Sequence, residues 1–124
     1  YAVDALTGLE KWKFQTKDAI LSSPAVSKGR VFFGSYDKHI YAIDALTGEQ
    51  VWSVKTGGRV SASPVVVDDM VYVGSQDKVL YALSIADGVE KWRFKTNGKI
   101  TNAATVADGH VVFGSHEGSL YGVK

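Results

Sequence analysis

The chain contains no cysteine, which excludes disulfide bonds, thiolate metal sites and a cysteine nucleophile. It has only two prolines, and no apolar run approaches the length of about 18 residues that a membrane-spanning helix needs. The first residues show neither the basic nor the apolar part of a signal peptide. An excess of one charge is also missing, because 14 basic residues stand against 13 acidic ones. A nucleic-acid binder would concentrate positive charge, so the balance argues against that class of protein.

Helical periodicity is absent as well, and a repeat of 40 residues is present in its place. Trp12, Trp52 and Trp92 keep this spacing without a slip. The same step separates three Gly-Ser pairs and four tyrosines: Gly34-Ser35, Gly74-Ser75 and Gly114-Ser115, with Tyr1, Tyr41, Tyr81 and Tyr121. A fixed period between 20 and 50 residues is typical of solenoids, propellers and repeat arrays.

Each repeat reads as four short strands separated by turn residues. In the unit from 19 to 55 the predicted strands are 19–26, 30–35, 39–44 and 50–55, all rich in β-branched and aromatic residues. Pro24 and Pro64 fall inside the first strands of their units, where a proline suits a bulge or an edge. Four antiparallel strands in 40 residues are typical of a propeller blade. The sequence therefore predicts an all-β fold of about three β-propeller blades in a single segment.

The repeats are staggered relative to the predicted blades. Residues 1–16 supply the outer strand of a preceding blade, 19–55 and 59–95 supply complete blades, and 99–124 supply three strands of a further blade. Three blades are too few to close a ring. Either the chain is a segment of a longer propeller, which we favour, or copies associate head to tail so that the strand at 10–15 completes the blade of another copy.

The turn after the third strand carries the pattern A-x-D-x-x-T-G-x-x-x-W. This pattern resembles the tryptophan-docking motif of the pyrroloquinoline quinone (PQQ) type β-propeller repeat, and the resemblance covers the whole chain. The third copy has Ser84 in place of the aspartate. The predicted docking residues are Ala2, Asp4, Gly8, Trp12, Ala42, Asp44, Gly48, Trp52, Ala82, Gly88 and Trp92.

Simple chemistry explains the motif. Glycine adopts a positive φ at no steric cost, and the aspartate accepts hydrogen bonds from backbone N–H groups of the turn. The alanine leaves room for an indole, and the tryptophan supplies a large apolar ring with one N–H that needs an acceptor. We expect each indole to fix one blade against the next, and we expect the turn with Ser84 to be held less firmly.

One face of the predicted blades is the candidate contact surface. It contains the loops between the second and third strands and those between one blade and the next. Its proposed residues are Asp37, Lys38, Arg59, Asp77, Lys78, Lys99, His116 and Glu117. The simpler interpretation is that Asp37, Asp77 and Glu117 only form turns.

No residue pattern predicts a catalytic, cofactor-binding or metal site. The histidines at 39, 110 and 116 do not occupy equivalent positions of the repeat, as a ring of metal ligands should. The serines that follow glycine are not in a nucleophile-elbow pattern. Gly57-Gly58 leads into a strand, so it is not a phosphate loop, and the basic residues look evenly spread along the chain.

The resemblance implies a non-catalytic scaffold that binds a protein or peptide. It also implies the cell envelope, in a periplasmic or extracellular location, because the family includes the outer-membrane β-barrel assembly lipoprotein. A fragment of a quinoprotein dehydrogenase is the first alternative. Such enzymes hold the quinone and Ca²⁺ with acidic and amide ligands, and no such cluster is visible here. A self-associating architectural fragment is the second alternative.

Overall fold

The computed structural model describes residues 1–124 and contains strands joined by turns and bends. No helix of the structure has the length and apolar character needed to cross a lipid bilayer. In chain order the strands are β1 (Ala2–Val3), β2 (Glu10–Trp12), β3 (Ala25–Ser27), β4 (Arg30–Gly34), β5 (His39–Asp44), β6 (Gln50–Lys55), β7 (Val65–Val67), β8 (Met70–Gly74), β9 (Val79–Ser84), β10 (Glu90–Lys95), β11 (Thr105–Ala107), β12 (His110–Gly114) and β13 (Leu120–Val123).

These strands form four separate antiparallel sheets, each with neighbouring strands in sequence order. We call β3–β6 the first blade, β7–β10 the second blade, β11–β13 the third blade and β1–β2 the leading pair. The register repeats from sheet to sheet, because Ala2, Ala42 and Ala82 each lie opposite the tryptophan ten positions later. The same register irregularity follows this pair each time, so the 40-residue period of the sequence is also a period of the structure.

The hydrophobic core lies between the sheets. The largest cluster joins Phe32, Ile40 and Trp52 of the first blade to Val73 and Leu83 of the second. A second cluster joins the second and third blades, and a smaller one joins the leading pair to the first blade. The first and second blades therefore bury apolar side chains on both of their faces, which explains why strands such as β5 and β9 carry near-continuous apolar runs.

The first strand of each blade is shorter than the sequence predicts. In the first blade the predicted strand 19–26 is reduced to β3, which begins at Ala25. Proline is not the reason, because the third blade has Ala104 at that position and its strand also begins one residue later. In the first blade the Ser22 hydroxyl bonds both the N–H and the carbonyl of Gly34, at 2.9 and 3.1 Å. The serine hydroxyl thus forms the hydrogen bonds to Gly34 that a paired strand would form with its backbone.

The leading pair is also shorter than predicted. The sequence predicts a strand over 10–15, whereas β2 ends at Trp12. The reason is its partner, since β1 pairs with β2 only from Ala2 to Val3. A β-strand ends where its backbone hydrogen bonds to the neighbouring strand end, so Phe14 lies beyond β2. Its ring packs against those of Phe33 and Tyr41.

Candidate functional site

The turns between the third and fourth strands are built around one carboxylate each. Asp44 Oδ1 accepts the N–H groups of Leu46 and Thr47 at 2.8 and 2.9 Å, and Asp4 does the same in its own turn. The N–H of Thr47, followed by that of Leu46, lowers the pKa of Asp44 because both bonds favour the ionised form. The glycine of this turn, Gly48, has a φ of 76°.

Two of the three indoles reach across to the turn of the following blade. Trp12 Nε1 donates to the carbonyl of Ala45 at 2.9 Å, and Trp52 Nε1 donates to that of Ile85 at 3.0 Å. A Cβ placed on Gly48 would lie 2.7 Å from the Trp12 ring, and one on Gly88 would lie 2.7 Å from the Trp52 ring. The turn glycine therefore has two functions, because it adopts a positive φ and also leaves space for the ring.

Trp92 has a different environment from the other two indoles. Its N–H has no acceptor in the chain. Its ring is half-buried, as that of Trp12 is, and packs against Tyr72 of its own blade at 5.8 Å, much as Trp52 packs against Phe32 at 5.9 Å. The docking residues Ala42 and Ala82 are completely buried opposite their tryptophans, whereas Ala2 in the leading pair is half-buried.

The turn of the second blade has fewer hydrogen bonds from its first residue. Ser84 Oγ accepts one N–H, that of Ala86, at 3.3 Å. Asp87 accepts the N–H of Val89 at 3.0 Å, as Thr47 accepts that of Glu49 in the first blade, so this bond does not replace the one that Ser84 lacks. The expectation of a weaker turn at Ser84 thus agrees with the hydrogen-bond pattern.

Replacing Asp44 by serine is expected to destabilise the fold at neutral pH and to have less effect in acid. The turn lowers the pKa of Asp44 below that of the unfolded chain, about 3.9. The ionised carboxylate therefore contributes stability above that pH, and the contribution is lost as the pH falls through the folded-state pKa. Urea unfolding of both proteins between about pH 6 and pH 3 measures the difference. A difference that stays constant with pH would contradict this role of the charge.

Arg30 adds a second contact between the first and second blades. Its Nη1 donates to the carbonyls of Ile85 and Ala86 at 2.6 and 2.8 Å, beside the Trp52 N–H that shares the Ile85 carbonyl. The other blades have Met70 and His110 at this position, so the contact is confined to one junction. Nearby, Lys28 Nζ lies 2.5 Å from Asp69 Oδ1 in an exposed ion pair between the same blades.

Replacing Arg30 by methionine, the residue of the second blade, is expected to lower the free energy of unfolding by about 1–2 kcal/mol, because two charge-assisted hydrogen bonds are lost from a half-buried position. The matched control is His110→Met, which changes an exposed side chain bonded only within its own turn. This control should stay within about 0.5 kcal/mol of the unchanged protein. Equal losses in urea unfolding of the two variants would rule out the proposed contribution of Arg30.

The acidic residues of the candidate contact face connect neighbouring blades. Asp77 Oδ2 accepts the hydroxyl of Tyr81 and the N–H of Gly57, the latter at 2.9 Å, and Gly57 lies in the loop that precedes the second blade. Asp37 repeats the pattern with the Tyr41 hydroxyl at 2.6 Å and the Lys17 N–H at 3.3 Å. These carboxylates also accept N–H groups of their own turns, as the simpler interpretation requires.

The pKa values reflect this use of the carboxylates. Burial raises the pKa of Asp37, but the bonds from Tyr41, His39 and Lys17 outweigh it, so the pKa lies below its usual value. Burial and then the bond to the carboxylate raise the pKa of Tyr41 and of Tyr81. Glu117 is exposed and bonds the Tyr121 hydroxyl and, at 3.0 Å, the Ser115 hydroxyl.

Thr56, which was not among the predicted site residues, also connects the loops of the first and second blades. Thr56 is buried, and its Oγ1 bonds the carbonyls of Lys38 and Gly58 at 3.0 and 2.7 Å and the Ser75 hydroxyl at 3.1 Å. The signal was available, because Thr16, Thr56 and Thr96 keep the 40-residue spacing. The serine after each glycine is thus a hydrogen-bonding group of the fold.

The basic members of the candidate contact face behave differently from the acidic ones. Lys38, Arg59, Lys78 and Lys99 are all exposed, and no carboxylate lies within 4.0 Å of their charged groups. The Arg59 guanidinium lies over the ring of Tyr36, 4.9 Å from its centre. His116 is exposed too and shares a 2.7 Å hydrogen bond with Thr101.

The histidines occupy three separate local environments. His39 Nδ1 lies 3.0 Å from the Asp37 carbonyl, and His110 Nδ1 lies 2.9 Å from that of Asp108. No group of three or more histidine, cysteine or acidic side chains is arranged to hold a metal ion.

The family of the chain follows from its sequence and its fold together. A family model of PQQ-type repeats, described as outer membrane protein assembly factor BamB, matches residues 1–124. The chain belongs to this family. The predicted PQQ-type repeat is therefore confirmed. No protein with a curated description matches the chain.

Solved structures agree with this assignment. The chain is similar to BamB from Moraxella catarrhalis with a TM-score of 0.88 and 27% identity, over 98% of this chain and 38% of that one. It is also similar to the quinohemoprotein alcohol dehydrogenase ADHIIG from Pseudomonas putida HK5, with a TM-score of 0.74 and 25% identity, over 84% of this chain and 18% of that one. The predicted all-β propeller fold is confirmed, and this BamB-family chain spans less than half the length of either protein.

Proposed function

We infer that the chain is a non-catalytic β-propeller scaffold that binds a protein or peptide, as part of a larger propeller in the cell envelope. The family described as an outer membrane protein assembly factor supports the location and the kind of partner. The length of the similar BamB, of which this chain spans 38%, supports a larger propeller.

One observation carries the proposal. Recurring aspartates, tyrosines and threonines bond neighbouring loops, and two of the three indoles bond the turns of neighbouring blades. No recurring acid, base or nucleophile is left over at a cleft, which a catalytic site would need. The exposed basic side chains on one rigid face are available for a partner.

The proposal is tested by binding and by catalysis in parallel. Immobilised chain is exposed to a purified bacterial outer-membrane protein assembly complex that lacks its own BamB, and binding is followed by interferometry. We expect saturable binding, and we expect no alcohol-dependent dye reduction when PQQ, Ca²⁺ and a primary alcohol are supplied. Absence of binding, or turnover of the alcohol, would contradict the scaffold function.

A quinoprotein dehydrogenase is the alternative suggested by the similarity to ADHIIG. Calcium in such a site takes six to eight oxygen ligands, several of them carboxylates. The half-buried carboxylates of this chain are Asp4, Asp37, Asp44 and Asp77, and each already accepts backbone N–H groups. Asp37 and Asp77 also accept tyrosine hydroxyls. None of them belongs to a group of three or more histidine, cysteine or acidic side chains that could hold a metal ion. The residues present therefore do not fit a quinone and calcium site.

Self-association is a second candidate, favoured by one exposed leucine and one apolar groove. Leu120 on β13 is 76% exposed. A groove of about 380 Å³ lies on the first blade beside the leading pair, lined by Tyr1, Trp12, Phe14, Ile20, Pro24, Val31, Phe33 and Ile43. In this arrangement β2 of one copy would pair with β13 of another, as β6 pairs with β5. Light scattering decides between a monomer, which excludes self-association, and a discrete oligomer.

A further inference from the structure

The fold separates charges that the sequence distributes evenly. We call the ends of the strands around the loops 35–38, 56–59 and their equivalents the basic loop face. Seven exposed cations lie there: Lys17, Lys38, Lys55, Arg59, Lys78, Lys95 and Lys99. Four carboxylates accompany them: Asp18, Asp37, Asp77 and Glu117. The cations of this face therefore outnumber its carboxylates, because the strands carry alternate loops to opposite ends of each sheet and most carboxylates lie at the other end.

The opposite face has the reverse balance. Its turns carry nine carboxylates: Asp4, Glu10, Asp44, Glu49, Asp68, Asp69, Asp87, Glu90 and Asp108. Five cations accompany them: Lys11, Lys28, Arg30, Lys91 and Lys124. The net charge of +1 for the whole chain thus conceals one basic and one acidic face.

The two faces also differ in how their charges are used. On the acidic face Lys11 pairs with Asp4 and Lys28 with Asp69, while Arg30 bonds two carbonyls. On the basic loop face none of the seven lysine and arginine side chains takes part in an ion pair. The carboxylates of that face are instead bonded internally to tyrosine hydroxyls and to backbone or serine groups. The cations are therefore left without neutralising partners in the chain.

Backbone conformation singles out two of these cations. Lys38 and Lys78 both have a φ of 76°, and the equivalent residue of the third blade is Gly118 with a φ of 90°. Glycine adopts this conformation freely, whereas lysine is disfavoured there. Lys28, Asp68 and Asp108 in turns of the opposite face also have positive φ values, of 51°, 53° and 51°, so a positive φ is common to the turns of both faces.

The chemistry of the face favours an acidic peptide as the ligand. Tyr36 is the only phenylalanine, tyrosine or tryptophan in these loops, and Arg59 already covers its ring at 4.9 Å. A nucleic-acid site would need free aromatic rings for base stacking and few carboxylates among its cations. Spaced cations that alternate with internally bonded carboxylates suit spaced glutamate or aspartate side chains. We propose that the basic loop face binds an extended acidic segment of a protein partner, with Lys38 and Lys78 as central contacts.

This inference rests on the proposed scaffold function, and its test is a binding measurement with a defined probe. The probe is a fluorescein-labelled peptide of about twelve residues with alternating glutamate and glycine, followed by anisotropy with the 124-residue chain. Because exposed ion pairs are screened by salt, we expect affinity to fall as the salt concentration rises. The double variant Lys38→Glu/Lys78→Glu is expected to bind the peptide at least about tenfold more weakly. Lys38→Arg/Lys78→Arg should bind like the unchanged chain.

The matched control is Lys13→Glu/Lys91→Glu, which makes the same change in net charge with exposed lysines outside the basic loop face. It should stay within about twofold of the unchanged chain. Circular dichroism checks each fold, and Arg59→Glu/Lys99→Glu replaces the first variant if that one does not fold. Equal weakening in both charge-reversal variants would overturn the assignment to this face.

Two further outcomes would also reject the inference. One is a single-stranded oligonucleotide of equal charge that binds more tightly than the peptide. The other is the absence of peptide binding in a chain that still binds the assembly complex, which would leave the scaffold function intact and refute only the acidic-peptide site. Failure of the complex to bind, with peptide binding retained, would contradict the scaffold function instead.

Discussion

Replacing Trp52 by alanine is expected to lower the free energy of unfolding by about 3–5 kcal/mol, as large-to-small changes of buried aromatic residues do. The Trp52 side chain is 7% exposed and belongs to the core cluster shared by the first and second blades. Its removal would open a cavity against Gly88 and leave the Ile85 carbonyl with Arg30 as its only side-chain donor. Urea unfolding followed by far-ultraviolet circular dichroism measures the loss.

Trp92→Ala is the matched control for this prediction. Its ring is half-buried, packs on Tyr72 and donates no hydrogen bond to another blade. The loss of stability should therefore be clearly smaller than for Trp52, although both changes remove the same atoms from equivalent positions. Similar losses would show that the indole acts within its own sheet and would contradict the docking function.

Replacing Gly74 by alanine is expected to destabilise the fold by about 1–3 kcal/mol, because an added methyl group overpacks a closed interface. A Cβ at Gly74 would lie 2.8 Å from Cβ of Ile100, which is completely buried at the junction of the second and third blades. The β-carbon of a branched side chain moves only with its backbone, so relief requires the blades to separate. The melting temperature and the urea midpoint should both fall.

Gly114→Ala tests the same chemistry in the equivalent strand of the third blade. The nearest atom to a Cβ there is the Ser119 carbonyl oxygen at 3.9 Å, which is an ordinary contact. This variant should be neutral or should gain up to about 1 kcal/mol, since alanine restricts the unfolded chain more than glycine does. Equal losses of stability in both alanine variants would show that the substitution disturbs the strand itself. They would contradict the proposed clash between closely packed blades.

The features that the sequence could predict are the local and periodic ones. The 40-residue spacing of Trp12, Trp52 and Trp92 predicts the number of blades, and the alternation of apolar runs and turn residues predicts strands such as β5 and β6 at their observed bounds. Periodicity was less informative at the first strand, where the Ser22 hydroxyl replaces backbone pairing with Gly34. A side chain that replaces the backbone hydrogen bonds of a strand leaves no distinct pattern in the sequence.

The candidate site was predicted in part. The aspartates at 37 and 77 were recognised as turn residues, but their bonds to the preceding loop and to the tyrosine four positions later depend on how two blades meet. Thr56 was overlooked because a single threonine carries no chemical signal, although its recurrence at 16 and 96 does.

The sequence by itself determined the repeat, most of the strands, the turn chemistry and the family, because each depends on local residue patterns and on their spacing along the chain. Tertiary structure alone decided which groups meet across a junction, such as Arg30 with Ile85, and which end of the sheets each charge occupies. Contacts between blades join residues about 20 to 56 positions apart. Their partners depend on the stacking of whole sheets, and neither composition nor spacing contains that information.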